Sequence, residues 1–433
     1  MTDTVDAPAP EARIDSFGAR ISSLRRGQRV LGAGLLVMLV MSVARVIANA
    51  NDLTSSGTVA ATLRLSAPLI CAGLAALWAE RVGIVNIGVE GMMILGTWAG
   101  GFGAWKYGPW VGLLLGVIAG CLGGLIHALA VVRFNVDHVI SGVAINIFAP
   151  GAARFLSEQI FTPHGGGASN SPPQKSTIPS INLPFISGGR LFGWRSPDIT
   201  GWFERRHWFL ISDIASLIRG IGRDVSFATL IILLLVPVSA WVLWRTRFGL
   251  RLRSSGEAPY AASSLGVNIS RVRYQGMAIS GALAGLGGAF LSVVASSVYR
   301  EGQTGGQGFI GLATNIFGNW RPAGVLSGGV LFGFATALRL RDAKNVPALF
   351  LVLAMALLIM GILVLRKRRV IAGTVCIVFA ILAAIGFATI NELPQALTFI
   401  TPHVITLIVL ATASQRLRPP AYSGRPYREG ESH

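Results

Sequence analysis

The chain has 433 residues, 52% of them hydrophobic and only 13% charged, with 53 glycines and a net charge of +18. Soluble domains carry roughly 25% charged residues, so one large soluble core is excluded. The apolar sequence must instead be divided among many segments of about 20 residues, each able to cross a bilayer as a helix.

The positive balance sits at the ends of apolar runs and not in a separate basic domain, so it sets membrane orientation and gives no sign of nucleic-acid binding. Cys71, Cys121 and Cys376 lie inside apolar runs without disulfide or metal spacing and are read as packing residues. Residues 1–28 are polar, with Arg25, Arg26 and Arg29 just ahead of the first apolar run, and are predicted to be a cytoplasmic N-terminal tail before an uncleaved anchor.

Within a membrane domain over 29–415, helical spans are predicted near 30–49, 59–79, 90–105, 109–132, 138–160, 226–244, 274–297, 306–317, 322–338, 347–365, 370–390 and 396–414. The segment 306–317 is too short to cross unaided and reads as a tilted or broken helix supported by its neighbours. Arginines crowd the loop 245–273, the turn 366–369 (Arg-Lys-Arg-Arg) and the tail 416–433, which predicts all three, and both termini, on the cytoplasmic side. An even number of crossings follows. Residues 161–225 form a long external insertion whose tryptophans suit the membrane interface. Gly112, Gly116, Gly120 and Gly124 share one helix face, as do Gly281, Gly285 and Gly288, and Gly324, Gly328 and Gly329. Small-residue ridges of this kind let membrane helices approach closely. The fold class is therefore all-α: a polytopic helical membrane protein of about 10–12 transmembrane helices.

Three segments hold candidate functional residues. Residues 80–91 interrupt two apolar runs with Glu80, Asn86, Glu90 and three glycines. If the segment is helical, Asn86 and Glu90 share a face. Glu90 is then either a functional ionisable group at membrane depth or a carboxylate at a helix N-terminus. Asp137 fits a helix cap, and Asn146 either bridges helices or meets substrate. In the loop 245–273, Pro259 and the alanines after it predict a short helix ending before Gly266. That helix is either a docking peg for a soluble partner or part of a loop that only sets topology. No phosphate loop, HExxH or GxSxG motif occurs, so the chain is read as non-enzymatic, with no cofactor or metal.

The runs ERVGIVNIGVEGMMILG (80–96), DHVISGVAINIFA (137–149), TRFGLRLRSSGEAPYAASSLGVNISRVRY (246–274), SGALAGLGGAFLS (280–292) and GFIGLATNIFGNWRPAGVLSGGVLFGFATALRLR (308–341) together resemble permeases of the branched-chain amino acid, ribose and nucleoside group of ABC importers. The nucleoside-type members are the most similar, with sugars or branched-chain amino acids as the alternative substrates. The resemblance implies the transmembrane-domain fold of an ABC importer, in a bacterial inner membrane. It also implies partners: a second permease, forming a heterodimer, a separate ATPase subunit, and a lipid-anchored binding protein that delivers a small-molecule substrate outside. Its coupling helix falls on Gly256 to Gly266, where Glu257, Pro259 and Ala261 match the GExPxAA pattern and Tyr260 and Ser264 lie one turn apart. Ala258 stands where the family commonly has Asn. The Asn86–Glu90 motif matches a pattern near the pathway. The insertion 161–225 and the apolar pair 347–390 depart from the pattern, and the pair is read as a hairpin outside the pathway. A secondary transporter would need a set of intramembrane charges for ion coupling, and the deep charges here are too few.

Overall fold

The computed structural model describes residues 26–191, 194–341, 346–366, 368–389 and 417–428. The span predicted at 396–414 lies outside them. In chain order the helices are α1 (Arg26–Ala48), α2 (Ser56–Arg81), α3 (Val89–Tyr107), α4 (Pro109–Ala128), α5 (His138–Ile160), α6 (Ile199–Glu204), α7 (Ile211–Gly222), α8 (Phe227–Arg245), α9 (Arg247–Glu257), α10 (Pro259–Ser264), α11 (Ile269–Phe290), α12 (Gln307–Phe317), α13 (Pro322–Arg341), α14 (Val346–Arg366) and α15 (Val370–Thr389). Single π-helical turns extend α4 over Leu129–Arg133 and α11 over Leu291–Ala295. The protein is a multi-pass helical membrane protein: seven described helices are long and apolar enough to span a bilayer, and Gly34–Ala48 and Pro322–Leu338 are shorter apolar helices.

The helix starts follow local chemistry. Pro109, Pro259 and Pro322 open α4, α10 and α13, the position where proline's missing N–H costs nothing. Side-chain oxygens of Asp137, Ser226, Thr246 and Asn268 accept backbone N–H groups at the starts of α5, α8, α9 and α11.

By internal contacts the chain forms two compact units. One contains the described residues 26–55, 202–217 and 346–389. Here α14 and α15 pair closely as a hairpin, and α14 also packs on α1. Asp213 is buried and ion-paired to Arg45 at 3.2 Å, and it accepts hydrogen bonds from Ser42 and Thr54. The pairing satisfies a charge that would otherwise be costly to bury.

The other unit contains 56–201, 218–341 and 417–428. Its centre is α2 and α11, whose apolar windows are 67% and 72% buried, against 28% for α5 and 33% for α8. Around them lie α3, α4, α12 and α13. The glycine ridges explain the closest contact. A methyl group on Gly120 would strike the backbone of Gly281 and Gly285, and one on Gly285 would strike Gly116 and Gly120. On the other side of α4, Leu114, Ile118, Leu122 and Ile126 form an exposed apolar stripe suited to lipid or a partner helix. Gly288 faces the Met93 backbone of α3, so the three glycines of α11 serve two neighbours and not one.

Residues 161–226 carry two short antiparallel ribbons: β1 (Ser180–Ile181) with β4 (Val225–Ser226), and β2 (Arg190–Leu191) with β3 (Trp194–Arg195).

Candidate functional site

Residues 82–88 leave the helix between α2 and α3, and Gly83 turns the chain with φ +91°. The helical condition for Asn86 and Glu90 to share a face is therefore not met: Asn86 lies in the break, and Glu90 in the first turn of α3. The break is nonetheless held by the residues singled out from the sequence. Asn86 is fully buried, with its amide donating to Ser280 Oγ at 3.0 Å on α11, while its own carbonyl oxygen has no hydrogen-bond partner. Asn146 of α5 donates to the Ile87 carbonyl at 2.9 Å and accepts from the Gly91 N–H at 2.7 Å, tying α5 across the break. His127 bonds Ser141 Oγ at 2.8 Å, and His138 Nδ1 accepts from the Val85 N–H at 3.2 Å. Asp137 caps α5 through the N–H groups of Val139 and Ile140.

The acids on either side of the break hold α12, which at 11 residues reaches only about 16 Å. Glu90 accepts the N–H of Gly306 at 3.0 Å and of Gly308 at 2.6 Å, so its carboxylate caps the α12 N-terminus from another helix. Gly306, at φ +80°, supplies the turn that aims those N–H groups. At the other end of α12, Glu80 accepts from Asn315 Nδ2 in the last turn at 3.0 Å and from Trp320 Nε1 just beyond it at 2.6 Å. The half-length helix is clamped at both ends by carboxylates only ten residues apart in sequence.

Glu90→Gln removes the charge and turns one acceptor into a donor facing a backbone N–H. Charge-assisted hydrogen bonds contribute about 1.5–3 kcal/mol each, so the variant is expected to lose roughly 2 kcal/mol of stability, read as a lower melting temperature in detergent. Melting identical to wild type would show that the cap does not bear on stability.

The second cluster is the segment 245–273. It holds two helices, the expected one at Pro259–Ser264 and a longer α9 that the arginine-rich composition had made look like loop. Gly266 follows at φ +83°. Gly256 is buried against the end of α2, where a methyl group would strike the Arg81 carbonyl and Gly83 N. Ser255 Oγ donates to the Val82 carbonyl at 3.1 Å. The segment therefore rests directly on the break that carries Asn86. Pro259 is buried, while Glu257, Ala261, Ser264 and Gly266 face outward, as does Leu265 at 85% exposure.

The residues 417–428 complete this cluster, and sequence reasoning did not find them. The Tyr422 N–H donates to the Gly256 carbonyl at 2.8 Å, the Gly424 N–H to the Gly83 carbonyl at 3.1 Å, and the Ala421 N–H to Glu257 Oε2 at 3.1 Å. Tyr260 packs against Tyr422 and Tyr427, with ring centroids at 5.9 and 5.2 Å. Burial, then the Tyr260 hydroxyl, pushes the Tyr422 phenol up to about 12. Beneath the tyrosines lies Arg273, only 1% exposed, its guanidinium 5.6 Å from the centre of the Tyr427 ring. Sequence counting treats Arg273 as one more topogenic loop charge; here it is a buried cation held by a ring face. The alternation of Tyr with Pro and Gly in Pro419–Tyr427 was the available signal for an ordered, non-helical tail.

Comparison with known proteins identifies the family. Residues 58–363 match the family described as branched-chain amino acid transport system / permease component. The guanosine ABC transporter permease protein NupQ of Bacillus subtilis is 34% identical over 309 residues, which is 68% of this chain and 87% of the relative. The nucleoside ABC transporter permease protein NupC of Lactococcus lactis is 34% identical over 330 residues, 72% of this chain and 93% of the relative. A putative glucose ABC transporter permease protein of Haloferax volcanii is 31% identical over 290 residues, 66% of this chain and 78% of the relative. No solved structure matches. With the family match running from the first turn of α2 into α14, through both the interrupted segment 82–88 and the segment 245–273, the chain belongs to the permease-component family of branched-chain amino acid transport systems.

Proposed function

We propose that this chain is the membrane subunit of an ATP-driven nucleoside importer, working with a second permease, a separate ATPase and a lipid-anchored binding protein. The observation that carries the mechanism is the continuous contact from the coupling segment to the half-length helix. Gly256 and Ser255 bear on residues 81–83, and Glu80 and Glu90 on either side of that break hold α12. A push on α10 by a closing ATPase passes through the break to both ends of α12. Discontinuous helices of this kind commonly line transport sites. Asn86, with a buried acceptor oxygen unused, Glu90 and Asn146 are the pathway candidates on this reading. The coupling residues are Gly256, Glu257, Pro259, Tyr260, Ala261, Ser264 and Gly266, with both termini cytoplasmic and no catalysis by the chain itself. The relatives named for guanosine and nucleosides support nucleosides as substrate ahead of sugars.

Uptake by the reconstituted transporter should cease when the ATPase partner is made hydrolysis-dead while the membrane potential is maintained. Concentrative uptake that survives would overturn the ATP-driven reading. Competition of labelled guanosine uptake by glucose or leucine, and not by other nucleosides, would overturn the substrate class.

A further inference from the structure

Beside the coupling segment lies a cavity of about 330 Å³ that no step of the transport reading uses, lined by Arg81, Trp244, Glu257, Asn319, Arg321 and Arg418. Three guanidinium groups face one carboxylate across it. Arg81 is the inner wall. Its side chain is 12% exposed, with Nη2 donating to the Trp320 carbonyl at 2.5 Å and Nη1 3.5 Å from Glu257 Oε1. Its Nε is buried without a hydrogen-bond partner. Trp244 presents its ring to Arg81 at 5.2 Å and to Arg253 at 5.6 Å, so a fourth cation stands close by. Arg321 and Arg418 are exposed and make no ion pair among the described residues. Arg321 also precedes Pro322, the first residue of the 20-residue helix α13, whose N-terminus adds positive potential.

We propose that this cavity binds a phosphate-bearing anion. Arginine forks match phosphate oxygens bidentately. Basic pockets among membrane helices on an arginine-rich side take lipid headgroups, and Trp244, at the end of a span, is the residue type favoured at headgroup level. A lipid phosphodiester and a soluble phosphate offer the same chemistry to these groups. The bound anion competes with Glu257 for Arg81. That loosens one of the contacts between the end of α9 and the end of α2, just ahead of α10, a consequence that rests on the coupling reading above. Binding itself does not depend on that reading.

The test uses the full-length chain without its partners, so an error in the coupling reading does not affect it. In maltoside detergent, which carries no phosphate, binding of labelled inorganic phosphate is measured directly. In nanodiscs of mixed phosphatidylglycerol and phosphatidylcholine, the lipids retained on release are counted by native mass spectrometry. Binding in the first arm assigns a soluble phosphate, and selective retention of phosphatidylglycerol in the second assigns a lipid. Arg321→Ala and Arg418→Ala should each weaken whichever binding is seen by about tenfold, as expected for loss of one charge-assisted contact. Arg321→Lys, which keeps the charge and protects against a folding artefact, should fall between Ala and wild type. No binding in either arm, or equal binding by wild type and both alanine variants, overturns the proposal.

Discussion

Glu257→Arg is expected to abolish substrate-stimulated ATP hydrolysis and uptake by the assembled transporter while the permease stays folded in the membrane. Glu257 is 48% exposed and its 3.5 Å pair with Arg81 is long. An exposed ion pair contributes only about 0–1 kcal/mol to stability, so the fold should survive. Function is a different matter, because Glu257 ends α9, two residues ahead of Pro259 at the start of α10, and also accepts the Ala421 N–H. An arginine there faces Arg81 with like charge, releases the tail at Ala421 and reverses the sign offered to a partner. Once a docked ATPase buries Glu257, losing such an interfacial charge typically costs about 2–5 kcal/mol in binding, more than tenfold in occupancy of the coupled state. A glycine inserted after Ala261 should do the same by another route, since one added residue rotates the rest of α10 by about 100° and carries Ser264 and Leu265 off their face. Cysteines at Ala261 and Ser264 are the suitable crosslinking positions. Tyr260 is unsuitable, being occupied by Tyr422 and Tyr427. Crosslinks should form to the ATPase and not to the external binding protein. Labelling of either cysteine by an impermeant reagent in intact cells would overturn both the topology and the mechanism.

The long apolar helices were legible in the sequence because each depends on its own residues: a run of apolar side chains, often with a proline or cap at the start or a glycine ridge on one face. The same holds for α10, where Pro259 and Gly266 mark the ends. Long-range pairings were not legible. Nothing local says that Glu80 and Glu90 reach more than 200 residues along the chain to α12. Helix α9 was missed because its arginines and serines give a composition typical of loops, whereas its helicity depends on Thr246 at the cap and on Gly249, Leu252, Ser255 and Gly256 being buried. The tail 417–428 was read as charge alone. Its order comes from backbone hydrogen bonds to Gly83 and Gly256, and a sequence does not display those.

Gly285→Leu is expected to prevent accumulation of folded protein altogether. Gly285 is buried in α11 at the point where that helix crosses α4, and a Cβ there would lie inside the Gly116 carbonyl and against the Gly120 backbone. The obstacles are main-chain atoms, which cannot swing aside as a flexible side chain could. Overpacking a core costs about 1–3 kcal/mol when side chains can adjust; here the two helices must separate along their length. Separation removes the close backbone approach that substitutes for a hydrophobic drive inside a bilayer. It also pulls Ser280 from Asn86 and shifts the break that Asn86 occupies. Gly151→Leu is the control. That glycine is exposed on α5, and a Cβ added there would meet no atom within 4 Å, so leucine should be accepted without loss. Yield of monodisperse protein from the membrane, measured by fluorescence-detected size exclusion, separates the two. Equal yields would mean that α4 and α11 do not pack through their glycine ridges, while loss in both would mean that leucine is harmful for reasons unrelated to that contact.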